Sequence, residues 1–137
     1  MSIPSFYIRH VAISVQDADE TIDWYSKCLG FEVVSRGYHP PTDSELIVMV
    51  RGGVELEIFC RKGSKSMTEE RKNPDLDPGT QGVKHFCLGT DDLDGLMEHL
   101  SRFGVEIVVG PVMMGDVKLY YIHDNSGNPI ELMQEIK

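Results

Sequence analysis

The sequence predicts an α+β fold built from two βαβββ modules that form one curved mixed sheet, a cup with its helices on the outer face. Three observations carry this expectation. The chain repeats itself, each copy opens on an alternating strand followed by an amphipathic helix, and each copy then runs through three short strand-like segments joined by turns. HVAISVQDAD from His10 matches HFCLGTDDLD from His85 at an offset of 75 positions. At an offset of 74, LGFEVV from Leu29 matches FGVEIV from Phe103, and LEIF from Leu56 matches IELM from Ile130. Three matches in the same order at a nearly constant offset are the mark of a duplicated unit.

In the first copy Val11, Ile13 and Val15 alternate with His10, Ala12 and Ser14, the pattern of a half-buried strand. Asp17 and Asp19 then precede a run in which Ile22, Tyr25 and Leu29 recur at helical spacing, and Gly30 is placed to end it. Strand-like runs follow at 31–36, 45–50 and 54–60. The second copy repeats the order: a strand after His85, a helix striped by Leu93, Leu96, Met97 and Leu100 with Gly104 as its stop, then strands at 105–109, 117–123 and 129–134. Arg51-Gly52-Gly53 and Asn125-Ser126-Gly127-Asn128 have the composition of hairpin connections. One domain over 1–137 is expected, with module one at about 6–62, a linker at about 63–81 and module two at about 82–137. The linker is polar and rich in Pro and Gly, so it reads as a tether or a mobile flap.

Composition narrows the function classes. With 137 residues, 41% hydrophobic and 26% charged, the chain has the make-up of an ordinary globular domain. A formal charge of -9 repels nucleic acid and anionic lipid, and the basic residues form no stripe. MSIPSFYIRH shows no basic segment followed by an apolar run and no stretch is apolar for about 18 residues, so neither secretion nor membrane spanning is expected. Cys28, Cys60 and Cys87 form an odd set without a C-x-x-C pair, which points to a reducing, cytoplasmic setting.

Strand parity then places the polar residues. His10 lies on the face opposite Val11, Ile13 and Val15, and His85 lies opposite Phe86 and Leu88. Glu131 lies opposite Ile130 and Leu132, while Glu55 and Glu57 both lie opposite Leu56 and Ile58. The repeat offset of 74 maps Glu131 onto Glu57, so Glu57 is the choice; a shift of one β step would exchange it with Glu55. Two imidazoles and two carboxylates on the inner faces make a candidate site for one divalent ion, with Zn, Ni, Co, Mn and Fe all compatible with the mixed donors. His10, Glu57, His85 and Glu131 are the expected ligands.

The opening strand with His10, the WYSKCLGFEVV passage, LEIF, the second opening strand with His85, and DNSGNPIEL together resemble the vicinal oxygen chelate superfamily, over the whole chain. That superfamily includes glyoxalase I, methylmalonyl-CoA epimerase, extradiol dioxygenases and antibiotic-resistance proteins. The ligand set looks closest to the glyoxalase I branch. The resemblance implies a metal-dependent lyase or isomerase acting on a small carbonyl compound or thiol adduct through an enediolate-type intermediate. In it Glu131 serves as the first candidate for general base, and Glu57 as a candidate on the opposite substrate face. Ser14 and Arg61 stand where glyoxalase I usually has an arginine and an asparagine, which points away from glutathione as the thiol. The superfamily also implies a homodimer, with cups formed within one chain or across two. An Fe(II)-dependent ring-cleaving dioxygenase and a non-catalytic small-molecule binding protein are the alternative readings.

The remaining candidates carry simpler expectations. His39 and His99 read as surface or structural residues, and the face of His123 is not legible. The cysteines read as packing residues, with Cys87 beside His85. Met113, Met114, Tyr120, Tyr121 and Phe59 read as core or pocket wall.

Overall fold

The computed structural model describes residues 2–136; the outermost positions of the expected domain, Met1 and Lys137, lie outside the described residues. Module one consists of β1 (Val11–Val15), α1 (Ala18–Leu29), β2 (Glu32–His39), β3 (Ser44–Arg51) and β4 (Val54–Cys60). After a short helix α2 (Glu69–Lys72) come β5 (Phe86–Gly89), α3 (Leu93–Arg102), β6 (Ile107–Met114), β7 (Val117–His123) and β8 (Pro129–Glu135). The strands form two four-stranded sheets, in the orders β1-β4-β3-β2 and β5-β8-β7-β6. In each, the opening strand runs parallel to the last, which requires the intervening helix as a crossover, and the rest is an antiparallel meander.

Both main helices start as the sequence expects. Asp17 accepts the Glu20 amide at 2.8 Å and Asp92 accepts the Gly95 amide at 2.9 Å, each satisfying a first-turn donor. Gly30 ends α1 at φ 71°, a conformation that glycine adopts without a steric penalty. The buried stripe of α1 is Ala18, Thr21, Tyr25 and Cys28 rather than the expected Ile22, Tyr25 and Leu29; Ile22 and Leu29 only lean against the core. Tertiary contacts rotate the helix, because Tyr25 is drawn toward module two.

The two modules share one hydrophobic core, with Ile47, Met49, Leu56 and Ile58 from the first and Ile122, Ile130 and Leu132 from the second all fully buried. The sheets are separate within the chain. Their seam is polar at one end. The Tyr25 hydroxyl donates to Asp124 Oδ2 at 2.8 Å, and Asp124, itself buried, also accepts from the amides of Ser126 and Asn128 at 2.8 and 2.9 Å. Burial, then the charge of Asp124 and the bond to it, push the Tyr25 hydroxyl well above its ordinary pKa. Asn125 donates to Thr21, and Asn128 to the Ser14 carbonyl. The 125–128 connection is therefore a clasp between modules as well as a hairpin turn.

The linker is tied down rather than free. Asp77 is only 2% exposed, and a carboxylate in that position needs cationic partners; Arg71 approaches it at 2.8 Å and Lys84 at 3.3 Å. His123 Nε2 lies 2.7 Å from the Lys72 carbonyl, which pins α2 against β7.

Candidate functional site

Alternation along β1 and β4 puts Leu56 and Ile58 into the core and turns Glu55 and Glu57 to the opposite face. The β1–β4 register pairs Ala12 with Glu57, and the β5–β8 register pairs Cys87 with Glu131. Ala12 and Cys87 each sit two residues after a module's histidine, so Glu57 and Glu131 occupy equivalent places in the two sheets. Glu55 corresponds instead to Pro129.

In module one, His10 Nε2 lies 3.3 Å from Glu57 Oε2, while its Nδ1 lies 3.7 Å from Glu55 Oε2. Glu55 also receives Arg9 at 2.9 Å. In module two, His85 Nε2 lies 2.9 Å from Glu131 Oε2. The Tyr121 ring meets His85 edge-on with centroids 5.0 Å apart, and its hydroxyl oxygen is 3.4 Å from His85 Nε2. Tyr121 and Cys87 flank Glu131 on its two neighbouring strands. Burial first and then the negative charge of Glu131 push the Tyr121 hydroxyl up to about 12 and the Cys87 thiol up to about 11.

These distances suit the chemistry of a shared cation. Two donors bound to one ion at roughly 2.0–2.2 Å and an angle near 90–110° lie about 3.0–3.4 Å apart, and the observed 2.9 and 3.3 Å are close to that bite. Each module thus offers one imidazole nitrogen and one carboxylate oxygen at a spacing a divalent ion could bridge. The sequence leaves open whether the four donors meet within one chain or across two. Among the described residues, no group of three or more His, Cys, Asp or Glu side chains is placed to hold a metal ion. The physical reason is the shared core: the modules face each other through their apolar surfaces, which leaves the two His–Glu pairs as separate half-sites.

The other histidines have structural partners. His39 Nδ1 lies 2.9 Å from Thr42 Oγ1, His99 Nε2 lies 2.9 Å from the Lys27 carbonyl, and His123 reaches Lys72. All three cysteines are free. Tyr121 had no role assigned from sequence; the legible signal was its position on the strand next to Glu131, which only the β7–β8 register turns into a contact.

Residues 7–132 match the Glyoxalase/Bleomycin resistance protein/Dioxygenase superfamily. The chain belongs to this superfamily. A glyoxalase domain-containing protein of Mycosarcoma maydis is 28% identical over 91% of the chain and 66% of its own length. A putative lactoylglutathione lyase of Brassica oleracea is also 28% identical, over 91% of the chain but only 43% of its own length. The chain therefore spans less than two thirds of these curated relatives. Among solved structures, a glyoxalase family protein from Enterococcus faecalis superposes with a TM-score of 0.78 at 24% identity, covering 93% of this chain and 96% of its own. This likeness shows that the glyoxalase-superfamily fold extends over both modules. No helix among the described residues is long and apolar enough to cross a membrane.

Proposed function

We propose that this superfamily member is a metal-dependent, glyoxalase-type lyase or isomerase acting on a small carbonyl compound or thiol adduct, and that its site is completed between two copies of the chain. His10 and Glu57 of one protomer and His85 and Glu131 of its partner would hold one divalent ion of the Zn, Ni, Co, Mn or Fe class. The carrying observation is the pair of register-equivalent half-sites, each with its two donors one cation's bite apart and neither completed by a third donor among the described residues. A bound divalent ion supplies stabilisation of negative charge on neighbouring substrate oxygens. The chain's own groups supply the proton movement: Glu131 is the first candidate for general base, and Glu57 is placed to act from the opposite substrate face. Three free cysteines support a reducing, cytoplasmic setting.

A mixing experiment tests both parts of this reading. His10→Ala and His85→Ala, each purified alone, should lose tight binding of Zn(II), by at least about 100-fold in affinity. Unfolding and refolding the two variants together gives mixed dimers in which one of the two sites regains all four ligands. Tight metal content should then return to about a quarter of the wild-type value, as random pairing of a twofold dimer requires. A monomeric wild-type chain without tight metal binding would end the proposal, and failure of the mixture alone would return the site to a single chain.

A further inference from the structure

The linker lines an open-mouthed cavity as well as joining the modules. Residues 64–67, residues 83–86 and β1 together line a space of about 400 Å³. Its charged lining is one-sided. Lys65, Arg71 and Lys84 line it, His85 stands at its wall, and no Asp or Glu side chain is among the lining residues described. This occurs in a chain whose acidic residues outnumber its basic ones by 22 to 13. Asp77 is the carboxylate in contact with this group, at 2.8 Å from Arg71 and 3.3 Å from Lys84, but it is buried and carries one negative charge against their two. Lys65 is exposed and adds a third positive charge. Ser64, Ser66, Ser126 and Asn128 contribute neutral donors, and Val11 and Ile13 contribute low-dielectric wall. Charges of one sign set in apolar walls concentrate their field on the enclosed space, which favours a ligand of the opposite sign.

We infer that this cavity binds the carboxylate or phosphate group of a small anionic molecule, with Lys65 and the excess charge of Arg71 and Lys84 as its partners. Since His85 lines the same space, an anion anchored there lies beside the module-two half-site. In that respect the inference rests on the proposed function and names the substrate's class: a molecule with an anionic end distinct from its reacting carbon. Serines and lysine in the linker set which anion fits, so the segment that reads as a tether is the specificity element.

Orthophosphate and succinate serve as probes, each followed through backbone amide shifts in two-dimensional NMR of the metal-free chain at low salt. Saturable shifts should appear at residues 64–67, 83–86 and 126–128. Lys65→Glu should weaken binding of both probes by about fivefold to tenfold, as expected for reversing one nearby charge. Lys62→Glu changes the net charge equally on the same segment but lies outside the cavity lining, and should leave the affinity within about twofold. Absence of saturable shifts, shifts centred elsewhere, or equal weakening in both variants overturns the inference. The spectra themselves report that each variant is folded. Repeating the titration with one equivalent of Zn(II) separates the two readings, since a chain that takes no zinc yet shows the anion shifts refutes the metal site and leaves the cavity standing.

Discussion

The two modules have the same strand order and the same helix crossover, yet their carboxylates sit in different surroundings. Glu57 is flanked across the sheet by Ala12 and Val48, neither of which offers a proton. Glu131 is flanked by Cys87 and Tyr121, both of which carry a polar hydrogen, and its side chain is 10% exposed against 25% for Glu57. A second contrast lies at the hairpin preceding the last strand. Module one turns tightly through Gly52-Gly53, whereas module two places Asp124 at the position corresponding to Arg51 and builds a hydrogen-bonded clasp around it. Duplication set the scaffold, and divergence at a few cross-strand positions gave one half the tasks of holding a carboxylate still and of joining the modules.

The clasp predicts the largest difference. Asp124→Ala removes the acceptor for Tyr25, for two backbone amides and for the Asn128 side chain, all at or near 2.8–2.9 Å. Losing hydrogen bonds to a buried charge, with donors left unpaired, should destabilise the chain by about 3 kcal/mol. Arg51→Ala, the equivalent change in module one, strips an exposed side chain and should cost less than about 1 kcal/mol. Urea unfolding of the two variants measures the gap. Equal losses would show that the seam is held by the shared apolar core and that the polar clasp adds nothing.

That contrast also marks what the sequence made legible. Period-two alternation and helical spacing repeated at a fixed offset were enough to expect two βαβββ units, and the same offset maps Glu131 to Glu57, the pair that the strand registers set at equivalent positions. Local pattern could not say how the modules meet. DNSGN reads as a turn whether or not Tyr25, 99 residues earlier, reaches into it. Asp77-Pro78-Gly79 reads as loop chemistry, and the burial of Asp77 between Arg71 and Lys84 depends on pairing that no local window contains. Strands β2 and β6 run on to His39 and Met114, past the expected 36 and 109, because their hairpin partners β3 and β7 continue the pairing there. The face of His123 was not legible for the same reason: parity within a strand is readable, but which face is inner depends on its neighbour.

A smaller effect is expected where the two carboxylates differ. Tyr121→Phe keeps the ring against His85 and removes the hydroxyl that lies 3.4 Å from His85 Nε2 and next to Glu131 across the sheet. Groups that orient a metal ligand usually account for about 10–100-fold in affinity, and with Cys87 still in place the lower end applies. Zn(II) affinity, measured by competition with a chromophoric chelator, should fall by about tenfold in Tyr121→Phe. A larger loss is expected when Cys87→Ala is added. Placing the hydroxyl in the other half by Val48→Tyr should not restore it, because the deficit lies at Glu131. An unchanged affinity in the double variant would mean that Glu131 needs no support from its neighbouring strands, and the asymmetry between the modules would then be structural without bearing on the metal.

The smallest effect separates the neighbouring glutamates of module one. Glu57 faces Nε2 of His10 at 3.3 Å, whereas Glu55 lies 3.7 Å from Nδ1 and closer, at 2.9 Å, to Arg9. At that separation Glu55 can bias which imidazole nitrogen carries the proton, favouring a bare Nε2 that is free to ligate, but it competes for this role with an exposed arginine and with water. Glu55→Gln should therefore lower Zn(II) affinity by only about twofold to fivefold, and long-range nitrogen–proton NMR of the His10 ring should show a reduced share of the Nδ1-protonated tautomer. Module two supplies the control, since Pro129 stands at the equivalent position and His85 has no such neighbour. If Glu55→Gln instead costs as much as His10→Ala, the pairing arithmetic has chosen the wrong carboxylate, and the first module ligates through a glutamate that the second module lacks.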